Sequence, residues 1–200
     1  MIRVSLALAL SMGSVVFADE FVSFPQRPDR SVTTLTLANV FSDGMVLQRD
    51  QDVRVWGWSK PGDEVVVKFA GQTAKSKANA KGSWQAQLKP MKASFEDRVM
   101  TVTAGGKSLS VKDILIGEVW LCGGQSNMER KMNSSRDADL ELASGDYPAI
   151  RFLRIPKVAN TYPQADYQPA ENGGEGHWKK CQSKDLEQCT AVGYYFGQRL

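Results

Sequence analysis

Gly117-Glu118-Val119-Trp120-Leu121-Cys122-Gly123-Gly124-Gln125-Ser126-Asn127-Met128-Glu129 is the stretch on which the reading of this chain turns. Residues 119–122 are apolar and predict a short buried strand. Gly123 and Gly124 permit a sharp turn, and residues 128–132 suit a helix. A serine at a strand–turn–helix junction stands where tight backbone exposes a hydroxyl and where helix N–H groups face an oxyanion. The pattern departs from the Gly-x-Ser-x-Gly elbow, because Met128 occupies its last position. A competing reading makes Ser126 a helix cap, a common station for serine.

Upstream of this stretch, residues 34–112 alternate between apolar and polar. Thr34-Leu35-Thr36-Leu37, Asp52-Val53-Arg54-Val55-Trp56, residues 64–69, Ser83-Trp84-Gln85-Ala86-Gln87-Leu88 and residues 98–104 each carry a strand pattern. Asp43-Gly44, Pro61-Gly62, Lys81-Gly82 and Gly105-Gly106 punctuate them as turns, the last joining a hairpin to residues 108–111. Short strands at regular spacing predict an antiparallel β-sandwich. Trp56, Trp58 and Trp84 suit its core; a sugar-stacking platform is the functional alternative for the same three.

Downstream, the period changes. Residues 138–143 read as a helix, 150–155 as a strand, 158–176 as a long polar loop, 178–181 as a short strand and 185–200 as a helix. Strands alternating with helices predict an α/β layer on a parallel sheet. One βαβ unit needs ~30 residues or more, so residues 113–200 hold only part of such a domain.

Several blocks resemble the sialate O-acetylesterase family of the SGNH hydrolase group. The nucleophile block from Gly117 to Met128 carries the resemblance. So do Val40-Phe41-Ser42-Asp43-Gly44-Met45-Val46-Leu47-Gln48-Arg49, Val55-Trp56-Gly57-Trp58, Gly82-Ser83-Trp84 and Ala191-Val192-Gly193-Tyr194-Tyr195-Phe196-Gly197. The resemblance implies a β-sandwich N-terminal domain over 34–112, then a partial α/β hydrolase domain (SGNH, flavodoxin-like three-layer) over 113–200. It implies a carbohydrate O-acetylesterase with Ser126 as nucleophile, Gln125 and Asn127 as oxyanion or substrate partners, an O-acetylated sugar as substrate, and no metal or organic cofactor. In the family the histidine and aspartate that activate the serine resemble a pair near the end of the domain, so they are expected beyond Leu200, and this chain alone is expected to be inactive. His177, the one histidine, matches no catalytic position of the family and reads as a loop residue. An acetylxylan esterase and a non-catalytic carbohydrate-binding or adhesion module are the alternatives.

Composition narrows the class further. The chain has 200 residues, 42% hydrophobic and 24% charged, with a net charge of +3. These are ordinary values for a globular protein, and the scattered charge gives no nucleic-acid face. Residues 1–18 predict a secretory signal peptide. Arg3 supplies its positive start, an apolar run follows, and Val16-Phe17-Ala18 supplies the cleavage site. Polar interruptions leave it short of the ~20 apolar residues a span needs. Residues 19–33 read as a leader, and the protein is expected to be exported. Export permits disulfides. Cys181 and Cys189 are near enough in sequence to pair, whereas Cys122 in the apolar run is expected to be a buried thiol. No Cys-x-x-Cys or Cys/His cluster points to zinc.

Overall fold

The computed structural model describes residues 33–159, 164–171 and 173–200. The residues expected to form a signal peptide, and nearly all of those expected to form a leader, lie outside them. The first part of the chain is built from eight strands: β1 (Thr36–Leu37), β2 (Val46–Gln48), β3 (Val53–Trp58), β4 (Glu64–Phe69), β5 (Gln72–Lys77), β6 (Ser83–Leu88), β7 (Ser94–Ala104) and β8 (Lys107–Gly117). β1, β3 and β6 form one antiparallel sheet; β2-β8-β7-β4-β5 form another, antiparallel except where β2 runs parallel to β8. Alternation decides which side chains turn inward. Val53 and Val55 of β3, Trp84, Ala86 and Leu88 of β6, Val65, Val67 and Phe69 of β4, and Met100 and Val102 of β7 all join a single core. Each buried Val, Leu, Phe or Met side chain among these contributes about 1.5–3 kcal/mol on burial.

One glycine and three tryptophan positions refine the sequence reading. Gly57 is required by close approach, since a Cβ there would stand 2.1 Å from the Thr36 carbonyl oxygen on β1. Trp84 is a core residue and Trp58 packs against the core, as expected. Trp56, by contrast, turns outward and stacks edge-on against Phe41 at 4.6 Å. β5 escaped the sequence reading because Gln72-Thr73-Ala74-Lys75-Ser76-Lys77 has almost no apolar residue; it is an edge strand whose register on β4 is set by backbone pairing.

The second part comprises α1 (Ser126–Glu129), a 3-10 turn at Met132–Ser134, α2 (Ala138–Ser144), β9 (Asp146–Leu153), β10 (Trp178–Gln182), α3 (Ser183–Leu186) and α4 (Ala191–Gly197). Met132, Cys181, Leu186, Cys189, Ala191 and Tyr194 form its small core, with Leu142, Ile150 and Phe152 against it. β9 and β10 pair antiparallel, which corrects the expectation of a parallel sheet. Parallel pairing needs a crossover that carries the chain back across the sheet. Among the described residues of 154–177 there is no helix to make such a crossover. The helix expected over 185–200 is broken at 187–190 into α3 and α4. Residues 119–122 form no strand, because no described strand lies beside them to take up their backbone groups. Leu121 is 97% exposed, and Cys122 is exposed rather than buried. Cys181 and Cys189 are buried free thiols.

A seam of polar contacts joins the two parts. Lys112 and Asp113 of β8 stand opposite the single residue Val99 of β7, a β-bulge with Asp113 at φ 54°. Bulges re-aim side chains. Here the bulge directs Asp113 to Arg151 of β9 at 2.9 Å and to Lys180 of β10 at 3.0 Å. The Trp178 indole donates to the Val40 carbonyl at 2.8 Å, and the Asn39 side chain donates to Asp166 at 2.9 Å. No helix among the described residues is long and apolar enough to cross a membrane.

Candidate active site

The chain leaves β8 at Gly117, runs extended through Gly123 and Gly124, and turns into α1. Backbone polar groups at its start are satisfied by neighbours: the Val119 N–H donates to Gln48 Oε1 at 2.8 Å and the Arg49 N–H donates to the Gly117 carbonyl at 2.9 Å, while the Arg49 side chain pairs with Glu118 at 2.6 Å. Gln48 and Arg49 hydrogen-bond Glu118, and together with the Arg49 charge they hold its carboxyl below the usual range.

Ser126 is the first residue of α1 and is exposed. Gln125 occupies the cap position and no side chain caps the helix. The capping reading of Ser126 therefore has no hydrogen bond behind it. Gln125 and Asn127 flank the serine on the same exposed surface.

α1 is a single turn with no buried residue. Its moorings come from two sides. On one, Thr190 Oγ1 donates to the Met128 carbonyl, the Ala191 N–H donates to the Arg130 carbonyl at 2.9 Å, and the Met132 N–H donates to the Cys189 carbonyl at 3.0 Å. On the other, Glu129 pairs with Lys157 and, at 4.0 Å, with Arg154, which also holds Glu175 at 3.0 Å. The Lys157 hydrogen bond and charge keep the Glu129 carboxyl below its ordinary range. In the structure Glu129 is paired, Arg130 donates to the Ser134 carbonyl at 2.8 Å, and Lys131 donates to Gln188 at 2.5 Å. Nothing in the sequence pattern links Lys157 or Arg154 to α1. Thr190 had one signal, its place immediately before the 191–197 block.

His177 lies elsewhere. One of its ring nitrogens is 3.1 Å from the Ala170 carbonyl oxygen, consistent with a loop residue. It lines an open groove of about 540 Å³ at the seam with Phe41, Asp43, Trp178 and Lys179, and no residue of 117–130 reaches that groove. Among the described residues, no hydrogen bond joins Ser126 to a base. The structure thus brings Gln125, Ser126 and Asn127 together on one exposed turn and keeps His177 apart.

No protein-family model matches the chain. The rat sialate O-acetylesterase is 33% identical over 179 residues, which is 82% of this chain and 32% of the rat protein. A carbohydrate acetylesterase from Xanthomonas citri, known from a crystal structure, superposes with a TM-score of 0.77 at 38% identity, covering 82% of this chain and 36% of that one. This chain belongs to the sialate O-acetylesterase family. The human sialate O-acetylesterase is 27% identical over 100% of this chain and 39% of its own length. The chain therefore spans about a third to two fifths of the sialate O-acetylesterases it matches, and its mostly-sheet fold resembles that of a carbohydrate acetylesterase.

Proposed function

We propose that the protein is a carbohydrate O-acetylesterase in which Ser126 is the nucleophile. The observation that carries this reading is the 38% identity and TM-score of 0.77 shared with a carbohydrate acetylesterase over 82% of the chain. Ser126, exposed and uncommitted to capping, supports it locally. In this reading Ser126 Oγ bonds to the acetyl carbonyl carbon, and the sugar oxygen leaves with a proton. Water then releases acetate and restores the serine. A serine hydroxyl needs a base in hydrogen-bond reach, and that base needs an orienting acid. Gln125 and Asn127, which flank Ser126 in the chain, offer side-chain amides to the developing oxyanion or the sugar. We read residues 34–112 as a β-sandwich domain and 113–200 as part of an SGNH α/β domain, preceded by a signal peptide at 1–18 and a leader at 19–33 that direct export.

Ser126→Ala in the full-length protein tests the assignment. Hydrolysis of p-nitrophenyl acetate and of an O-acetylated sialic acid should fall roughly a thousandfold or more, with an unchanged melting temperature. Retention of the wild-type rate on both esters would remove Ser126 from the mechanism. A wild-type protein that binds acetylated sugar without hydrolysing it would favour a binding module.

A further inference from the structure

We infer that Thr190 is a positioning residue for Ser126, holding the nucleophile turn in place through the Met128 carbonyl. The inference rests on Ser126 being the nucleophile.

A one-turn helix does not persist by itself, because nucleation fixes several dihedrals for a single hydrogen bond. α1 has four residues, none buried and no cap. Its geometry must come from what grips it. Thr190 is the N-cap residue of α4, at φ −65° and ψ 129°. At such a position a threonine hydroxyl ordinarily accepts an N–H from its own helix. Here it makes no capping bond. The hydroxyl instead donates to the Met128 carbonyl, one of the helix-end acceptors that α1 leaves unsatisfied, and lies 3.7 Å from Met128 Sδ. α4 forgoes a cap, and the hydroxyl is spent on a residue two positions after Ser126.

Gly193 makes this possible. A Cβ there would fall 2.6 Å from Thr190 Cγ2 and 3.6 Å from Cys122 Sγ. The first contact is closer than real carbon atoms approach, so a side chain at 193 would drive Thr190 out of its rotamer. The same open spot admits Cys122, four residues before Ser126. The first turn of α4 therefore seats the chain on both sides of the serine. The backbone bonds Ala191 N–H to Arg130 and Met132 N–H to Cys189 extend the seat further along. Displacing a nucleophile by about 1 Å costs on the order of 100-fold in rate, and among the described residues the Thr190 hydroxyl supplies the side-chain hydrogen bond from α4's seat to α1.

The test compares Thr190→Val, which keeps the shape and removes the hydroxyl, with Thr190→Ser, which keeps the hydroxyl. Both are made in the full-length protein. A fluorophosphonate probe reports Ser126 directly, because Oγ bonds to phosphorus as fluoride leaves with the proton. The labelled peptide is mapped, and kcat and KM are measured on p-nitrophenyl acetate. Thr190→Val should lower both the labelling rate and kcat roughly 10- to 100-fold with KM within about twofold, and Thr190→Ser should restore them. Wild-type labelling and kcat in Thr190→Val would overturn the positioning role while leaving Ser126 in place. Failure of the wild-type enzyme to label at Ser126 would instead overturn the nucleophile and the inference together. If Thr190→Val melts well below the wild type, Gly193→Ala decides, since it keeps the hydroxyl but crowds it out of place. Undiminished labelling in that variant overturns the role.

Discussion

Removing the Asp113 carboxylate should loosen the seam between the two parts of the chain more than any surface change. The Arg151 side chain is 3% exposed, and its buried Nε already lacks a partner. Asp113 supplies its carboxylate at 2.9 Å. Breaking a buried pair from one side costs about 3–5 kcal/mol, because the remaining charge is stranded. Asp113 is a quarter exposed and Lys180 is 42% exposed, so the lower end, about 3 kcal/mol, is appropriate. Alanine at φ 54° adds about 1 kcal/mol of left-handed strain, giving about 4 kcal/mol for Asp113→Ala. Asp113→Gly removes the strain but not the stranded charge, and should cost about 3 kcal/mol. Asp113→Asn tolerates the backbone and keeps one acceptor, and should cost about 1–2 kcal/mol. Urea unfolding followed by far-ultraviolet circular dichroism and tryptophan emission gives the three values. The double variant Asp113→Ala/Arg151→Met should be more stable than Asp113→Ala alone. A loss under about 1 kcal/mol for Asp113→Ala, or alanine no worse than glycine, would refute the reasoning.

The same site makes stability depend on pH. Burial pushes the Asp113 carboxyl up, but the Lys180 hydrogen bond and the Arg151 and Lys180 charges outweigh it and hold the group below its ordinary value of 3.8. A carboxyl depressed in the folded state stabilises fully above the unfolded value. That contribution is lost as pH falls through the folded one. The wild type should therefore lose more stability than Asp113→Asn below about pH 4.

Thiol chemistry and export give two further checks. Cys122 is exposed, whereas burial raises the Cys181 thiol to about 11 and, with the neighbouring Cys181 and Cys122, the Cys189 thiol to about 12. One thiol per folded chain should react rapidly with Ellman's reagent at pH 8, and three after denaturation; only one after denaturation would mean that Cys181 and Cys189 are bonded. Protein recovered from an exporting host should begin at Asp19, and recovery with Met1 intact would refute cleavage after Ala18.

The first part of the chain was the more legible because alternation is written there residue by residue. Val53-Arg54-Val55 and Trp84-Gln85-Ala86 alternate in sequence as they alternate between core and surface. β5 was hidden because an edge strand can be polar on both faces. The second part was less legible because its order depends on distant partners. Residues 119–122 have a strand's composition, but a strand exists only when another takes its hydrogen bonds. Thr190 ends one helical pattern because its hydroxyl and flanking backbone are drawn to α1, and no local period announces that. Within the candidate site, Ser126 stood out from its glycines and its block, while Thr190, Lys157 and Arg154 meet α1 from far along the chain.

The exposed Val119-Trp120-Leu121-Cys122 run also bears on how the polypeptide behaves in concentrated solution. Beyond the Val119 N–H, which Gln48 holds, these uncharged residues have no described strand beside them and form a template onto which a second chain can add. Glu118, at the head of the run and kept ionised by Gln48 and Arg49, acts as a charged gatekeeper against such stacking. Neutralising Glu118 would thus impair solubility before it impaired the fold, and purification at high ionic strength, which screens this charge, would encourage precipitation.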